Sequence, residues 1–382
     1  MARFLFLTWP GAGNQVPETG VAGALRAAGH EVAFAGYATQ ADRFTALGFP
    51  FHVLRVADGR WPAQPPDDWM PILPDLVWAC GGHLDDVPRL LAEEPVDVLV
   101  VDCLMFGALA AAERAGIPAA VLVHSAPGAL LPPSGPFEQL LLPAVNAVRA
   151  NGDRTRLDRL WDAWTPFPTL CTSVRELDPL DGRLPPEFAF VGPVDEPSDP
   201  SGWTPPWPPE DPRPLVVASF STGAAWDQTS RVQATLDAFA DRHYRVLVTT
   251  GTVDPRRVRV SGDAAVVPFV PHADVVPGAV AVVTHAGHGT VAAAMRHGVP
   301  VVALPNPAAD QPALAAHLAQ RGAGIALDGE RATPAEIRTA VDTVVRDRSF
   351  RDAAAAIATA IAAAPGAARA AGLLTELQPA RP

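Results

Sequence analysis

The strongest chemical signal in the sequence is VTHAGHGT, residues 283–290. An apolar run precedes it and a helical pattern follows it. His285 therefore ends a predicted strand, and Gly287, Gly289 and Thr290 lie in the turn into a helix. Unpaired N–H groups and the positive end of the helix dipole at such a turn bind phosphate, and His285 would direct one more donor at the same anion. An ordinary buried histidine would explain His285 alone, but not the glycines and threonine beside it.

Asp102 and His124 are candidates for acid–base chemistry in the first half of the chain. Asp102 follows the apolar run VDVLVV, and His124 follows the apolar run of residues 119–123. A carboxylate can take a proton or orient a base, and an imidazole can take a proton near neutral pH. The alternative for Asp102 is an ordinary N-cap of a helix at residues 104–115.

Alternating strands and helices must position these residues. The predicted strands are residues 3–9, 31–34, 96–101, 119–123, 215–220, 245–249, 264–269, 280–284 and 299–304. A helix is predicted at residues 17–29, with Pro17 near its start, and another at residues 350–375. The proline- and tryptophan-rich stretches 57–80 and 125–170 are predicted to be long loops with irregular helices. Strand–helix alternation of this kind predicts parallel βαβ units.

The proline-dense stretch 195–214 divides the chain. Proline fixes φ and removes an amide donor, so this stretch is predicted to be a semi-rigid linker. The prediction is a domain of residues 1–194, the linker, a second domain of residues 215–350, and a C-terminal helix within 351–382 that could pack back on the first domain. The fold class is α/β, with two Rossmann-like domains facing each other across a cleft, where ligands of such folds bind.

Composition excludes several classes of protein. The 382 residues carry a net charge of −12, and every one of the 29 basic residues is arginine. An acidic chain is unsuited to nucleic acid or an anionic membrane surface. Three dispersed cysteines provide neither a disulfide framework nor a zinc motif. The first apolar run is too short for a signal peptide, so we expect a cytoplasmic protein. We also expect a monomer or homodimer.

The sequence resembles family 1 glycosyltransferases of the GT-B fold, particularly bacterial natural-product (antibiotic) enzymes that use dTDP-sugars. The resemblance lies in residues 285–324, Ser219–Thr222, Pro268–Pro271, Asp102 and Gly29–Val32. It implies an inverting, metal-independent transfer of a sugar or deoxysugar from a dTDP-sugar to a hydrophobic aglycone. The nucleotide sugar is a co-substrate, and no cofactor or metal ion is expected because the chain lacks an Asp-x-Asp triplet.

The same resemblance assigns donor-site roles. The diphosphate would be held by His285, Gly287, Gly289, Thr290 and Thr222. Asp310 and Gln311 would hydrogen-bond the sugar hydroxyls, Phe269 would stack on the nucleobase, and the backbone of Val270 would pair with its edge. UDP-dependent relatives often place a ribose-binding glutamate at the position that is Ala293 or its neighbour Ala292 in this chain. Neither alanine side chain can accept a hydrogen bond, which favours dTDP over UDP.

The resemblance breaks down at the usual catalytic histidine. That position, three residues before Pro17, is Asn14 here, and a carboxamide cannot act as a general base. Asp102 stands where the family's aspartate orients that histidine. Three hypotheses follow: Asp102 is the base, directly or through a water; His124 is the base; or an acidic acceptor needs only positioning by Asn14.

Aromatic residues of the two predicted loops and the adjoining helix could line an acceptor pocket: Trp61, Trp69, Trp78, Phe106 and Phe137. Packing of the first domain is the alternative role for them. Two other functions remain, a GT-B nucleotide-sugar epimerase and a catalytically silent glycosyltransferase homologue. A dinucleotide-binding oxidoreductase is disfavoured because Gly11 and Gly13 are followed by Val16, where that fingerprint needs its third glycine.

Overall fold

The structure is a computed structural model that describes residues 1–63, 70–196, 201–221, 227–307 and 309–377. The chain forms two compact units. The N-terminal unit comprises Met1–Ser173, Gly182–Glu196 and Ala364–Pro382, and the C-terminal unit comprises Val174–Asp181 and Pro197–Ala363. The polypeptide therefore passes between the units more often than the predicted division into consecutive domains requires.

A parallel sheet forms the centre of the N-terminal unit. Its strands are β1 Arg3–Leu7, β2 Glu31–Gly36, β3 Phe51–Val53, β4 Val98–Asp102, β5 Ala119–Val123, β6 Thr169–Cys171 and β7 Ala189–Phe190. Their order is β3-β2-β1-β4-β5-β6-β7, with the chain reversing its direction of winding after β3. Apart from Arg3 at the start of β1, the side chains of β1 and β4 are buried on both faces, as the continuous apolar runs predict.

Helices cover this sheet. They are α1 Ala12–Ala27, α2 Ala41–Ala46, α3 Arg55–Asp58, α4 His83–Glu93, α5 Phe106–Ala115, α6 Pro127–Leu130 and α7 Pro136–Asn151. Helix α1 begins five residues earlier than predicted, so Pro17 lies inside it rather than at its start. The glycines before Pro17 had indicated a break, but Gly11 is in fact the N-cap. Asn14 is consequently a helical residue.

A second parallel sheet forms the centre of the C-terminal unit. Its strands are β8 Leu215–Ser219, β9 Arg245–Thr249, β10 Ala265–Val267, β11 Ala279–Thr284, β12 Val301–Ala303 and β13 Gly324–Ala326, in the order β10-β9-β8-β11-β12-β13. Its helices are α8 Thr229–Ala238, α9 His272–Val275, α10 His288–Arg296, α11 Gln311–Gln320, α12 Pro334–Arg346 and α13 Arg348–Ala363.

The C-terminal region consists of two helices rather than the single predicted one. Helix α13 packs against α10 in the C-terminal unit, whereas α14, Ala367–Glu376, packs against α1 in the N-terminal unit. By length and composition alone, Arg348–Glu376 could cross a membrane. It is interrupted at Gly366, whose φ is +61° and whose N–H donates to the Val191 carbonyl. Its apolar residues serve the cores of two globular units.

Two proline-rich stretches also differ from prediction. Residues 125–170 contain the 16-residue helix α7, which begins at Pro136, because proline suits the first turn of a helix. Of the predicted linker, 195–214, residues 195 and 196 belong to the N-terminal unit, and residues 201–214 belong to the C-terminal unit. Trp207 anchors the latter stretch there: its side chain is buried and its Nε1–H donates to the Asp263 carbonyl at 3.1 Å.

We expect Leu374→Ala to destabilise the N-terminal unit, because Leu374 on α14 is fully enclosed in the same apolar cluster as Val21 and Leu25 of α1. Such a truncation costs about 2–5 kcal/mol. Urea unfolding measured for Leu374→Ala and for the exposed control Glu376→Ala tests this expectation. Equal stability of the two variants would contradict the packing of α14 on α1.

Candidate active site

Three adjacent strands of the N-terminal sheet end beside one another and bring a polar cluster together. In the register of the sheet, Leu7 of β1 pairs with Val101 of β4, and Asp102 pairs with Leu122 of β5. The residues at or just after these carboxyl ends therefore lie side by side on the same rim of the sheet. With two residues from α1 they form what we call the Asp102 cluster: Thr8, Asn14, Glu18, Asp102 and His124.

The carboxylate of Asp102 accepts three N–H hydrogen bonds. Oδ2 lies 2.8 Å from His124 Nδ1, and Oδ1 accepts from Trp9 Nε1 at 3.0 Å and from the Leu104 amide at 2.9 Å. The Asp102 side chain is 0% exposed, whereas that of His124 is 10% exposed. Asp102 is not the N-cap of α5, because Met105 occupies that position. Nothing in the sequence marks Trp9 as a site residue except its position just after β1.

Asn14 is buried and faces the end of β1. Its Nδ2 lies 3.2 Å from both Thr8 Oγ1 and the Trp9 carbonyl oxygen. Thr8 in turn donates to Glu18 Oε2 at 2.5 Å. Asn14 thus belongs to a hydrogen-bond chain within the cluster. Glu18 was not among the residues that sequence analysis selected, because a single glutamate in a predicted helix is normally exposed.

A metal ion fits poorly at this rim of the sheet. Ligand atoms of Asp102, Cys103 and His124 lie within 4.8 Å of one another. However, the 2.8 Å between His124 Nδ1 and Asp102 Oδ2 is a hydrogen-bond distance, and zinc bonds of about 2.0–2.3 Å in a tetrahedron hold their ligand atoms farther apart. Burial also raises the pKa of the Cys103 thiol well above its usual value, which disfavours the thiolate that binds metal.

Part of the predicted acceptor pocket lies next to this cluster. The Trp78 ring makes edge contacts with Trp9 and Phe137, at centroid distances of 6.2 and 4.8 Å, and Trp9 lies 6.5 Å from the His124 ring. Trp9 is thus the ring next to His124, and the buried Trp78 and then Phe137 continue an aromatic cluster, which we call the wall, away from it.

The other predicted pocket residues do not join that wall. Trp61 instead packs on Tyr37 at 4.9 Å, and Phe106 is buried in the interior. Trp69 lies outside the described residues.

The C-terminal unit contains the predicted phosphate-binding turn. His285 follows β11 directly, Gly287 is the N-cap of α10, and Gly289 and Thr290 lie in its first turn. A Cβ at Gly287 would stand 2.5 Å from His285 Nε2, so glycine is required for the ring to approach the helix N-terminus. Burial lowers the pKa of His285 to about 4, and the ring hydrogen-bonds the backbone of Ser219. His285 is consequently neutral, and its single N–H donates to the Ser219 carbonyl.

The neighbouring strand end brings the predicted sugar-binding pair to the same edge. Thr284 of β11 pairs with Ala303 of β12, and Asp310 and Gln311 begin the helix that follows β12. Gln311 Oε1 accepts from the Asn306 amide at 3.1 Å, which fixes the side chain. The pair is therefore held beside the turn that contains His285.

The predicted nucleobase residues also follow the carboxyl end of a strand of this sheet, but on its far side from β12. Phe269 and Val270 follow the edge strand β10; the Phe269 ring is 64% exposed and Val270 is buried. Strands β9 and β8 separate β10 from β11, a span of about 14 Å at about 4.8 Å a strand. That span suits an extended nucleotide sugar. Thr222, the fifth predicted diphosphate residue, lies outside the described residues.

Comparisons with known proteins agree with this architecture. Residues 233–377 match the family described as erythromycin biosynthesis protein CIII-like, C-terminal domain, and residues 11–161 match a glycosyl transferase 4-like domain. The chain is 30% identical to 4'-demethylrebeccamycin synthase of Lentzea aerocolonigenes, over 92% of this chain and 93% of that one. It is 28% identical to demethyllactenocin mycarosyltransferase of Streptomyces fradiae, over 80% of this chain and 71% of that one.

Solved structures show the same fold. The glycosyltransferase of kitacinnamycin superposes with a TM-score of 0.80 at 21% identity, covering 99% of both chains. The calicheamicin glycosyltransferase superposes with a TM-score of 0.79 at 23% identity, covering 99% of this chain and 98% of that one. The two parallel α/β units thus have the GT-B fold. The chain belongs to the family 1 glycosyltransferases that act in natural-product biosynthesis.

We expect acid to destabilise the protein through His285. Its pKa is about 4 in the folded protein and about 6.5 in an unfolded chain, so its contribution is complete above pH 6.5 and is lost as the pH falls towards 4. The loss is on the order of 3 kcal/mol. Burial lowers the pKa of His83 to about 4 as well, so wild type must be compared with His285→Asn. Denaturant titrations at each pH should show that the free energy of unfolding falls less steeply with acid in the variant than in wild type. Parallel dependences on pH would contradict a lowered pKa for His285.

Proposed function

We propose that this glycosyltransferase transfers a sugar from a dTDP-sugar to a hydrophobic natural-product aglycone, with inversion and without a metal ion, and that His124 is its general base. The hydrogen bond between Asp102 and His124 is the observation on which this proposal rests. The chain has Asn14 where relatives carry the usual catalytic histidine, yet it retains a buried carboxylate with an imidazole against it.

The hydrogen bonds of Asp102 favour His124, rather than Asp102 itself, as the base. An Nδ1–H donated to Oδ2 places the basic lone pair of the neutral imidazole on Nε2. Asp102 is fully enclosed and its lone pairs already accept from three N–H groups. His124 is the more exposed member of the pair and lies against the Trp9 ring. Asp102 would fix the tautomer and stabilise the imidazolium that forms when the acceptor hydroxyl loses its proton.

The donor side supports departure of a nucleoside diphosphate. As the anomeric carbon–oxygen bond breaks, negative charge grows on the diphosphate, and the N-terminus of α10 presents unpaired amides and the positive end of its dipole. The neutral His285 ring beside Gly287 would supply one further donor without burying a cation, by exchanging its hydrogen bond to the Ser219 backbone for one to the diphosphate. Attack from the face opposite the diphosphate inverts the anomeric carbon in a single displacement.

Two further features bear on the choice of substrates. Ala293 on α10 cannot accept a hydrogen bond from a ribose 2′-hydroxyl, which favours a deoxyribose and hence dTDP. The wall of Trp9, Trp78 and Phe137, which begins next to His124, favours an aromatic or otherwise apolar acceptor. An epimerase needs no such wall, and a silent homologue has no need of an aspartate–histidine pair.

The proposal predicts turnover of a dTDP-sugar and an aromatic aglycone, with release of dTDP and a glycoside of inverted configuration. Incubation with matched dTDP- and UDP-sugars and a small aglycone panel, followed by mass spectrometry, measures it. His285→Ala should lower kcat by on the order of 10²–10³ with little change in acceptor affinity, because this contact strengthens as the diphosphate leaves. Epimerised donor without glycoside would indicate the epimerase instead, and binding without turnover would indicate the silent homologue.

If His124 is the base, His124→Gln should lower kcat by about 10²–10⁴, because glutamine keeps polarity but cannot take the proton. Asp102→Asn should also lower kcat, since an amide cannot accept from Nδ1–H and stabilise the imidazolium in the same way. Affinity for dTDP, measured by calorimetry, should be unchanged in both. The half-buried His52 provides the matched control His52→Gln. Full activity of His124→Gln combined with loss in Asp102→Asn would make Asp102 the base.

A further inference from the structure

Glu18 is a buried carboxyl group in the Asp102 cluster that the proposed mechanism leaves unused. It lies on α1 and is 2% exposed. Thr8 donates its hydroxyl hydrogen to Oε2 at 2.5 Å, and the carboxyl also contacts the carboxyl of Asp102 and the amide of Asn14. Two carboxyl groups therefore meet in an enclosed site next to His124.

The surroundings of Glu18 do not support two negative charges. In the described part of the chain, the titratable groups facing it are Asp102, the Cys103 thiol and, beyond Asp102, His124. None of these is a permanent cation such as an arginine. Burial, reinforced by the charge of Asp102, raises the pKa of Glu18 well above its usual range. Carboxyl groups that share an enclosed site in this way hold a proton between them.

The hydrogen-bond donors decide which carboxyl group holds the proton. Asp102 accepts hydrogen bonds from Trp9, Leu104 and His124, so a proton on either of its oxygens would compete with one of these N–H donors. Glu18 has fewer donors: Thr8 donates a hydroxyl hydrogen bond to Oε2, and the amide of Asn14 lies against the carboxyl. Its Oε1 is buried without a hydrogen-bond donor among the described residues. A buried acceptor without a donor costs free energy of folding. If Oε1 carries a proton, it can instead donate a hydrogen bond to the adjoining carboxylate of Asp102.

We propose that Glu18 is a neutral carboxylic acid that donates a hydrogen bond to Asp102, and that it is a positioning residue which limits how strongly Asp102 attracts the proton of His124. This inference rests on the proposed role of His124 as the base. Donation by Glu18 withdraws charge from the Asp102 carboxylate. His124 is then more readily present in the neutral form that can accept a proton from the acceptor.

Glu18→Gln and Glu18→Leu distinguish this role from simple packing. Glutamine remains neutral and can still donate to Asp102, whereas leucine cannot, so Asp102 bears more charge and holds His124⁺ more tightly. We expect the acidic limb of the kcat/KM profile to move upward by on the order of one pH unit in Glu18→Leu and to keep its midpoint in Glu18→Gln. A matched control is Glu138→Gln, because Glu138 is buried but accepts from the backbone amides of Ser134 and Leu160.

Two measurements on the protein without substrates test Glu18 independently of turnover. Infrared spectroscopy at neutral pH should show a carboxylic-acid C=O band in wild type that Glu18→Gln removes and Glu138→Gln retains. Nitrogen-15 NMR should show the titration midpoint of His124 displaced upward in Glu18→Leu relative to Glu18→Gln. These readouts remain valid if another group proves to be the base, so failure of this inference and failure of the proposed function can be told apart.

Three results would overturn the inference. The first is an infrared spectrum of wild type without the band that Glu18→Gln removes, since Glu18 would then be ionised. The second is a midpoint for His124 that is the same in the leucine and glutamine variants. The third is an acidic limb of the kcat/KM profile that moves as far from wild type in Glu18→Gln as is expected for Glu18→Leu. If Glu18→Leu fails to fold, the infrared comparison of wild type, Glu18→Gln and Glu138→Gln still decides whether Glu18 is neutral.

Discussion

The buried carboxylate of Asp102 imposes the main constraint on the N-terminal unit, because a charge removed from water must be compensated by hydrogen bonds with good geometry. Its three donors come from different places: Trp9 after β1, Leu104 in its own turn, and His124 after β5. They converge only if β1, β4 and β5 keep their register. The packing of the central strands and the chemistry of the site therefore depend on the same alignment.

Asp102 meets different groups on its two sides. The imidazole that hydrogen-bonds to it belongs to His124, which follows β5. The side that faces α1 is occupied by a hydrogen-bond chain through Asn14 and Thr8 to Glu18.

The proposed diphosphate site of the C-terminal unit would compensate charge by a different physical means. The turn from β11 to α10 relies on backbone amides and a helix dipole, which are fixed partial charges, together with the neutral ring of His285. Such a site can attract a diphosphate without a buried cation and hence without the cost of desolvating one. The constraint there is steric, because Gly287 must lack a side chain for His285 to lie against the helix.

The sequence by itself determined the features that depend on neighbours in the chain. Apolar runs predicted Ala119–Val123 and Arg245–Thr249 with their observed bounds, and the glycine pattern around His285 predicted a turn from strand to helix. Proline content was misleading at α7, because Pro136 can begin a helix as well as a loop. The break between α13 and α14 also escaped prediction, since each helix follows the surface of a different unit.

Tertiary structure alone decided the composition of the candidate catalytic cluster. His124 is 22 residues from Asp102 in the chain and Trp9 is 93 residues from it, and they meet through strand order and register. The sequence supplied both Asp102 and His124 as candidates but not their hydrogen bond, and it offered no reason to choose Trp9 or Glu18. Local patterns specify which face of an element is buried, whereas partners across a parallel sheet are fixed by how distant segments pack.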